Sequence, residues 1–318
     1  MHSDKKSIFD KLEQRYESYR AAIDINNKIK EWNIDIVHTN SSVIEVGALA
    51  AALSGIPHIW HIREFGEEDY GLNFDRGIEK ATHFMEHHSE YIITITNSLK
   101  NKYKDLISDS KLVRIYNGVD INEIKLSQYP KSLEKINFLL VGLLHENKGQ
   151  EEAIRAIEVL VKQEVKNVHL YLAGDGPYKT EIEKMIKHKK LDEYITFLGH
   201  LNDLTDIRSK CHVALMCSRA EAFGLVTVEA MMAGMPVIGA ASGGTVEIIK
   251  DGVTGLLYIP KDEKSLSEKM MHFIQNPDDI KKMGLEGYKR AKKLFTSEKN
   301  AEEIIKLYNQ VLKTGSKL

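Results

Sequence analysis

The chain has 318 residues, 42% hydrophobic and 28% charged, the proportions of an ordinary globular protein with room for about two domains of ~150 residues. Its 44 basic and 46 acidic side chains leave a net charge of −2, which argues against a dedicated nucleic-acid binder, since such a protein carries a basic excess to neutralise phosphates. No apolar run approaches the ~20 residues that a membrane-spanning helix needs. The opening MHSDKKSIFD has charges but no apolar core, so it does not read as a signal peptide. Cys211 and Cys217 are too few for a disulfide framework or a metal knuckle and read as reduced, buried thiols of a cytoplasmic protein.

Taken in chain order, residues 3–31 read as a helix, with Leu12, Tyr16 and Tyr19 on one stripe extended by Ala22, Ile23 and Ile29 and charges elsewhere. Four strand candidates follow at 34–37, 58–62, 91–96 and 112–116. The stretch SQYPKSLEK, at 127–135, reads as a linker punctuated by Pro130. Six more strand candidates lie at 136–141, 168–173, 195–198, 213–216, 236–238 and 255–259. Apolar strands alternating with helices imply right-handed βαβ units and parallel sheets covered on both faces. The fold class expected is therefore α/β, with two Rossmann-like domains facing across a cleft and ligands beyond the carboxyl ends of the strands. The expected division is 1–130, 131–293 and a terminal segment 294–318 whose helix, at 302–312, crosses back to the first domain. The first half supplies only four strands and opens on a helix, so its domain reads as incomplete at the N-terminus, with an exposed sheet edge through which it could self-associate.

The segment richest in chemistry is SRAEAFGLVTVEAMMAGMP, residues 218–236. A strand ends near Cys217, a loop crosses Glu221, and Gly224 leads into a helix. A helix N-terminus offers unpaired N–H groups and a positive dipole end, which suits a phosphate, and glycine lets the backbone come close to it. Glu229 lies about one turn inside the helix, and helical side chains lean back toward the N-terminus, so its carboxylate can meet a pair of vicinal hydroxyls. Glu221 can do the same on the other side of the phosphates. Two carboxylates flanking an anion site suit a ligand with hydroxyls at both ends and phosphates between, such as a nucleotide-sugar; spacing alone is equally that of two solvated surface charges.

This block resembles the E-x7-E motif of the retaining glycosyltransferases of family 4, which have the GT-B fold, and further matches follow in the family's order. VGLLHENKG at 141–149 resembles its glycine-to-lysine loop, LAGDGP at 172–177 its G-x-G-P turn and FLGH at 197–200 its nucleobase loop. SGGTVE at 242–247 with DGVTG at 251–255 resembles its late glycine-rich block, and IYNGVD at 115–120 its N-G-V-D turn. The resemblance runs from about residue 34 to the end. It implies that Glu229 binds the ribose hydroxyls, and that Glu221 binds the transferred sugar and stabilises charge at its anomeric carbon. The N–H groups of Phe223, Gly224, Leu225 and Val226 would hold the distal phosphate. Lys148 would neutralise the diphosphate as it leaves, with Gly142 lining the same loop and His200 and Leu201 lying by the base. Where the family usually has an arginine after that glycine, this chain has Leu143, which leaves Arg219 as a substitute cation. His61, in PHIWHIREF at 57–65, resembles the acceptor-domain histidine that contacts the donor sugar. Arg63, Asn97 and Asn117 are further cleft candidates, with Asn97 and Ser98 also a helix cap.

The resemblance implies hexosyl transfer from a nucleoside-diphosphate sugar to a glycan or lipid-linked acceptor, with retention, by front-face displacement and without a metal or other cofactor. Polysaccharide assembly, at the cytoplasmic face of a membrane with peripheral association, is the corresponding setting. The absence of any D-x-D sequence agrees with metal independence. His83 and His87, four apart on a helix, lack a third ligand and read as a solvated face, as do Lys100, Lys102 and Lys104. A non-catalytic partner subunit that keeps the nucleotide-sugar site is the competing reading, because the first domain is short. A nicotinamide-dependent oxidoreductase would need a G-x-G-x-x-G turn that the chain does not contain.

Overall fold

A computed structural model describes residues 8–71, 74, 77–126 and 132–315. The chain divides into two compact units, one made of residues 1–115 and 302–318 and the other of 116–301.

In the first unit, α1 (Ile8–Trp32) leads to β1 (Val37–Asn40), α2 (Val46–Ser54), β2 (His58–Ile62), α3 (Glu67–Tyr70), α4 (Ile78–His88), β3 (Tyr91–Thr94), α5 (Asn97–Tyr103) and β4 (Leu112–Arg114). The strands form one parallel sheet in the order β1-β2-β3-β4. The expected strand at 34–37 lies three residues further on, because the polar run His-Thr-Asn belongs to the sheet. Thr39 Oγ1 and His58 Nε2 are 2.8 Å apart, and His38 reaches His61 and Tyr308, so side-chain pairing satisfies groups that a hydrophobicity pattern excludes. Ala22 and Ile29 of α1 are buried with Ala50 of α2. Leu12, Tyr16, Tyr19 and Ile23 remain exposed, so the expected stripe is only partly covered. The nine residues of α2 extend about 13 Å and match just the second half of α1. Of the helix expected at 3–31, residues 3–7 lie outside the described residues, as do 127–131 of the expected linker.

The second unit runs β5 (Ile136–Val141), α6 (Gln150–Lys162), β6 (Val168–Ala173), α7 (Lys179–Lys189), β7 (Ile195–Gly199), α8 (Thr205–Lys210), β8 (Val213–Met216), α9 (Leu225–Met232), β9 (Val237–Ala240), α10 (Thr245–Ile248), β10 (Gly255–Tyr258), α11 (Glu263–Gln275) and α12 (Asp278–Leu294). Its six-stranded parallel sheet has the order β10-β9-β8-β5-β6-β7. Phe138, Leu140, Leu170, Leu172, Val213 and Leu215 form the sheet side of the core. Ala153, Ile154, Ile157 and Leu160 of α6, with Leu266, Met270 and Phe273 of α11, cover it. Their spacing of three and four is that of a helix with one apolar face.

The boundaries differ from those expected at 130/131 and 293/294. Tyr116 belongs with the second unit because its ring packs on Phe223 and Phe295, and Val119 bridges Thr296. The helix expected at 302–312 is longer, α13 (Ser297–Gly315), and the second division falls within it. Its residues Leu307 and Val311 share a core with Ile59, Ile93 and Ile115 of the first unit.

Strand order places the site in the second unit. From β5 the chain moves outward through β6 and β7, then returns to the other side of β5 for β8, β9 and β10. The reversal opens a crevice at the carboxyl ends of β5 and β8, where doubly wound sheets bind their ligands. The loops that leave these two strands carry Lys148 and Glu221.

Candidate functional site

The loop after β5 turns at Gly142, passes through a short 3-10 turn, Glu146–Lys148, and enters α6 at Gly149. Two glycine contacts fix its path. A Cβ on Gly149 would stand 2.1 Å from the Cys217 carbonyl oxygen, at a φ of +70°, so only glycine lets this loop lie against the end of β8. A Cβ on Gly174, at φ +142°, would stand 1.9 Å from the Gly142 carbonyl oxygen. The G-x-G-P turn is thus the floor on which the lysine loop rests. Leu144 N–H donates to the Asp175 carbonyl at 3.0 Å, and Tyr178 N–H donates to the Leu144 carbonyl at 3.1 Å.

The loop after β8 is held from below by the late glycine block, whose Gly244 N–H donates to the Glu221 carbonyl at 2.7 Å. Cβ atoms on Gly243 and Gly244 would stand 2.3 and 2.6 Å from the carbonyl oxygens of Glu221 and Ala222. Gly224 then starts α9 at φ +99°. The first N–H groups of α9, at Leu225 and Val226, have no acceptor within the helix. Leu225 is exposed and Phe223 buried, the latter against Tyr116 and Phe295.

The two loops meet where Lys148 Nζ lies 3.1 Å from Glu221 Oε2, with both side chains partly exposed. Glu229, within α9, forms an ion pair with Arg208 of α8, Nη2 to Oε2 at 2.8 Å. The expected substitute cation behaves differently from the expectation. Arg219 Nε donates to Glu152 Oε1 at 3.0 Å, and the buried Glu152 also accepts from the Tyr258 hydroxyl at 2.8 Å and the Lys261 N–H at 3.1 Å. Arg219 is therefore bound to a buried carboxylate that needs it, while Lys148 is the cation beside Glu221. His200 is exposed, 3.2 Å from Asn202 Oδ1, and Leu201 is half-buried.

The first-unit candidates form a separate group. His61 is the fourth of the five residues of β2, toward its carboxyl end, and is fully buried. His38 Nε2 stands 3.1 Å from His61 Nδ1, and His38 Nδ1 stands 2.5 Å from the Tyr308 hydroxyl. His61 Nε2 is buried without a partner among the described residues. Burial, with Arg63 and His38 beside it, pushes its pKa down to about 2, and burial and Arg63 push that of His38 down to about 4. Both rings are neutral. Arg63 Nε donates to Asn40 Oδ1 at 2.8 Å. Asn97 is exposed and begins α5, whose cap is Thr96, accepting from Leu99 N–H at 3.1 Å, rather than Asn97 or Ser98. Asn117 is buried and belongs to the second unit, where its turn presses on the α12–α13 junction: a Cβ on Gly118 would stand 2.4 Å from the Thr296 carbonyl oxygen. Cys211 and Cys217 are free, buried thiols whose pKa values burial raises to about 12.

Arg208, the partner of Glu229, is a residue of the site that the sequence pattern does not single out. It follows Leu204 by four positions and precedes Cys211 by three, so helical spacing already puts it on the inward face of α8, where a charge requires a partner. Thr227, in the first turn of α9, was also missed, and its buried Oγ1 has no partner among the described residues. Nothing in a run of apolar letters distinguishes that hydroxyl.

Comparison with known proteins gives the family and the fold. Residues 122–290 match the family described as glycosyl transferases group 1, and residues 2–123 match glycosyltransferase family 4. A glycosyltransferase of Methanocaldococcus jannaschii is 30% identical over 293 residues, covering 90% of this chain and 78% of that protein. The N-acetyl-alpha-D-glucosaminyl L-malate synthase of Bacillus anthracis is 25% identical, covering 76% of this chain and 65% of that protein, just under two thirds of its length. The crystal structure of Anabaena HepE in complex with UDP superposes with a TM-score of 0.80 at 21% identity, over 91% of this chain and 82% of that one. The chain therefore belongs to the group 1 glycosyl transferases, with a family 4 first part, and is a glycosyltransferase of the GT-B fold.

Proposed function

We propose that this chain transfers a hexose from a nucleoside-diphosphate sugar to a glycan or lipid-linked acceptor with retention of anomeric configuration. The observation that carries the reading is the Lys148–Glu221 pair at 3.1 Å, set at the reversal point of the sheet beside the N-terminus of α9. A cation and a carboxylate side by side suit a substrate whose diphosphate adjoins a sugar. The lysine and the N–H groups of Phe223 to Val226 take the phosphate oxygens, and Glu221 takes the sugar hydroxyls. Glu229 takes the ribose. HepE, the structural neighbour, has also been crystallised with UDP-glucose, which supports a donor of this class.

In the reaction the anomeric carbon loses its bond to the diphosphate oxygen while the acceptor oxygen bonds from the same face. The acceptor proton passes to the departing phosphate. Charge grows on the diphosphate and on the anomeric carbon together, and Lys148 and Glu221 lie beside each in turn, an electrostatic contribution greatest in the transition state. The lysine and helix end supply the positive charge that a divalent metal would otherwise bring. NMR of the product settles the stereochemistry, retention being expected and an inverted linkage contradicting the mechanism. Full activity after chelation by EDTA is the outcome expected of metal independence. Donor binding without transfer or hydrolysis, across an acceptor panel, would instead favour the non-catalytic partner.

A further inference from the structure

We propose that Arg208 is a positioning residue for the donor: it fixes the Glu229 carboxylate in the orientation that recognises a ribose. The inference rests on the reading of Glu229 as the ribose ligand and adds a residue to which no role has been given.

Arg208 is 7% exposed, although it stands on the six-residue helix α8. It lines a small cavity together with Met216, Val226, Thr227, Ala230 and Met235. A guanidinium in such apolar surroundings is costly unless paired, and its ion pair is with Glu229 at 2.8 Å. Asp203, at the exposed entrance to α8, feels the same charge at longer range. The pair uses one oxygen of Glu229. The other, Oε1, makes no hydrogen bond among the described residues, and the side chain is 30% exposed. One oxygen is thus held by a buried cation and the second is left to accept ligand hydroxyls.

This arrangement has a consequence for affinity. A glutamate has three rotatable side-chain bonds, and holding them in one rotamer before the ligand arrives removes an ordering cost from binding. A fork-shaped guanidinium suits the task better than a flexible ammonium because its donors are fixed in a plane. A buried ion pair is seldom more stabilising than apolar side chains of equal volume, so the fold alone gives little reason for an arginine on this face of α8.

The test uses the full chain with UDP, GDP and ADP and their 2′-deoxy counterparts, titrated calorimetrically against wild type, Arg208→Met, Arg208→Lys and Glu229→Ala. The wild type is expected to prefer the ribonucleotide of whichever base it accepts. Arg208→Met should weaken ribonucleotide binding about tenfold while changing 2′-deoxy binding little, so that the preference collapses, and Arg208→Lys should restore part of it. In turnover, Arg208→Met should raise the KM for the donor more than it lowers kcat. A merely structural arginine would lower Tm and weaken both nucleotide series equally, which would overturn the proposal. If Glu229→Ala abolishes the ribose preference and Arg208→Met keeps it, the positioning role fails and the site reading stands. If Glu229→Ala also keeps it, or no nucleotide binds, the reading fails and the proposal with it. Should Arg208→Met not fold, Arg208→Lys decides: a ribose preference identical to wild type, with weakened thermal stability, would contradict the proposal.

Discussion

At the scale of single residues, the second unit assigns its charges to distinct tasks. Glu152 is 4% exposed and accepts from Arg219, the Tyr258 hydroxyl and the Lys261 N–H, so it joins α6, the end of β10 and the loop after β8. Replacing it by alanine leaves buried donors unpaired, and the loss expected is about 3 kcal/mol, read from urea unfolding. A change within a few tenths of a kcal/mol would show that these bonds are made equally well to water. Lys148 is expected to behave in the opposite way. Its side chain is one third exposed, so Lys148→Ala should leave Tm nearly unchanged while lowering kcat by about 10²–10³, the range for removing one electrostatic stabiliser of a transition state. Steady-state kinetics beside a melting curve separates the two, and an unchanged kcat would remove the lysine from the chemistry. Most of these residues were legible as letters in a family pattern. Their partnerships were not: Glu152 lies 67 residues from Arg219 and 106 from Tyr258, Arg208 lies 21 from Glu229, and each pair meets only in the folded unit.

At the scale of elements, the glycines decide where the loops lie. Gly174 and Gly252 both have positive φ, but a Cβ on Gly174 would strike the Gly142 carbonyl oxygen at 1.9 Å, whereas one on Gly252 meets nothing within 4 Å. Gly252→Ala should therefore cost only the backbone strain, about 1 kcal/mol. Gly174→Ala must also displace the lysine loop, and should cost more than about 2 kcal/mol and reduce turnover. Equal losses in the two variants, by chemical denaturation, would contradict this account of the loop. In the first unit the neighbouring strands β1 and β2 carry three histidines held neutral. Burial, with Arg63, His38 or His88 nearby, lowers the pKa of His38 and His58 to about 4 and that of His61 to about 2. The unfolded chain binds protons more readily than the folded one below the ordinary value of about 6.5. Stability should thus be full above that pH and fall as the pH drops toward 4 and below, each histidine contributing up to about 1.4 kcal/mol per pH unit. A Tm that stays level between pH 7 and pH 4.5 would show that these rings are already solvated. Strand positions in this unit were harder to read from sequence than those in the second, because its strands hold polar residues that pair with one another. The strands at 136–141, 168–173 and 213–216 have apolar cores and coincide with their expected limits.

At the scale of the whole molecule, α/β alternation and motif order made both sheets and the family legible, while the limits of the compact units were not. Nothing in IYNGVD says that Tyr116 pairs with Phe223 and Phe295 rather than with the strand before it. Nor does the helical pattern of α13 show that its first residues belong to one unit and Leu307 and Val311 to the other. Such assignments depend on contacts across ~180 residues of chain, which a local pattern cannot carry. Among the described residues no helix is long and apolar enough to cross a membrane.

The nucleotide-sugar site proposed for this chain is formed by the loops after β5 and β8, with α9, and is built on Lys148, Glu221 and Glu229. Calorimetric titration of the purified chain with UDP, GDP and ADP, repeated with Glu229→Ala, tests it most directly. Saturable one-to-one binding of at least one nucleoside diphosphate is expected, weakened tenfold or more by the substitution. Binding of none of the three, or binding that Glu229→Ala leaves unchanged, would contradict it.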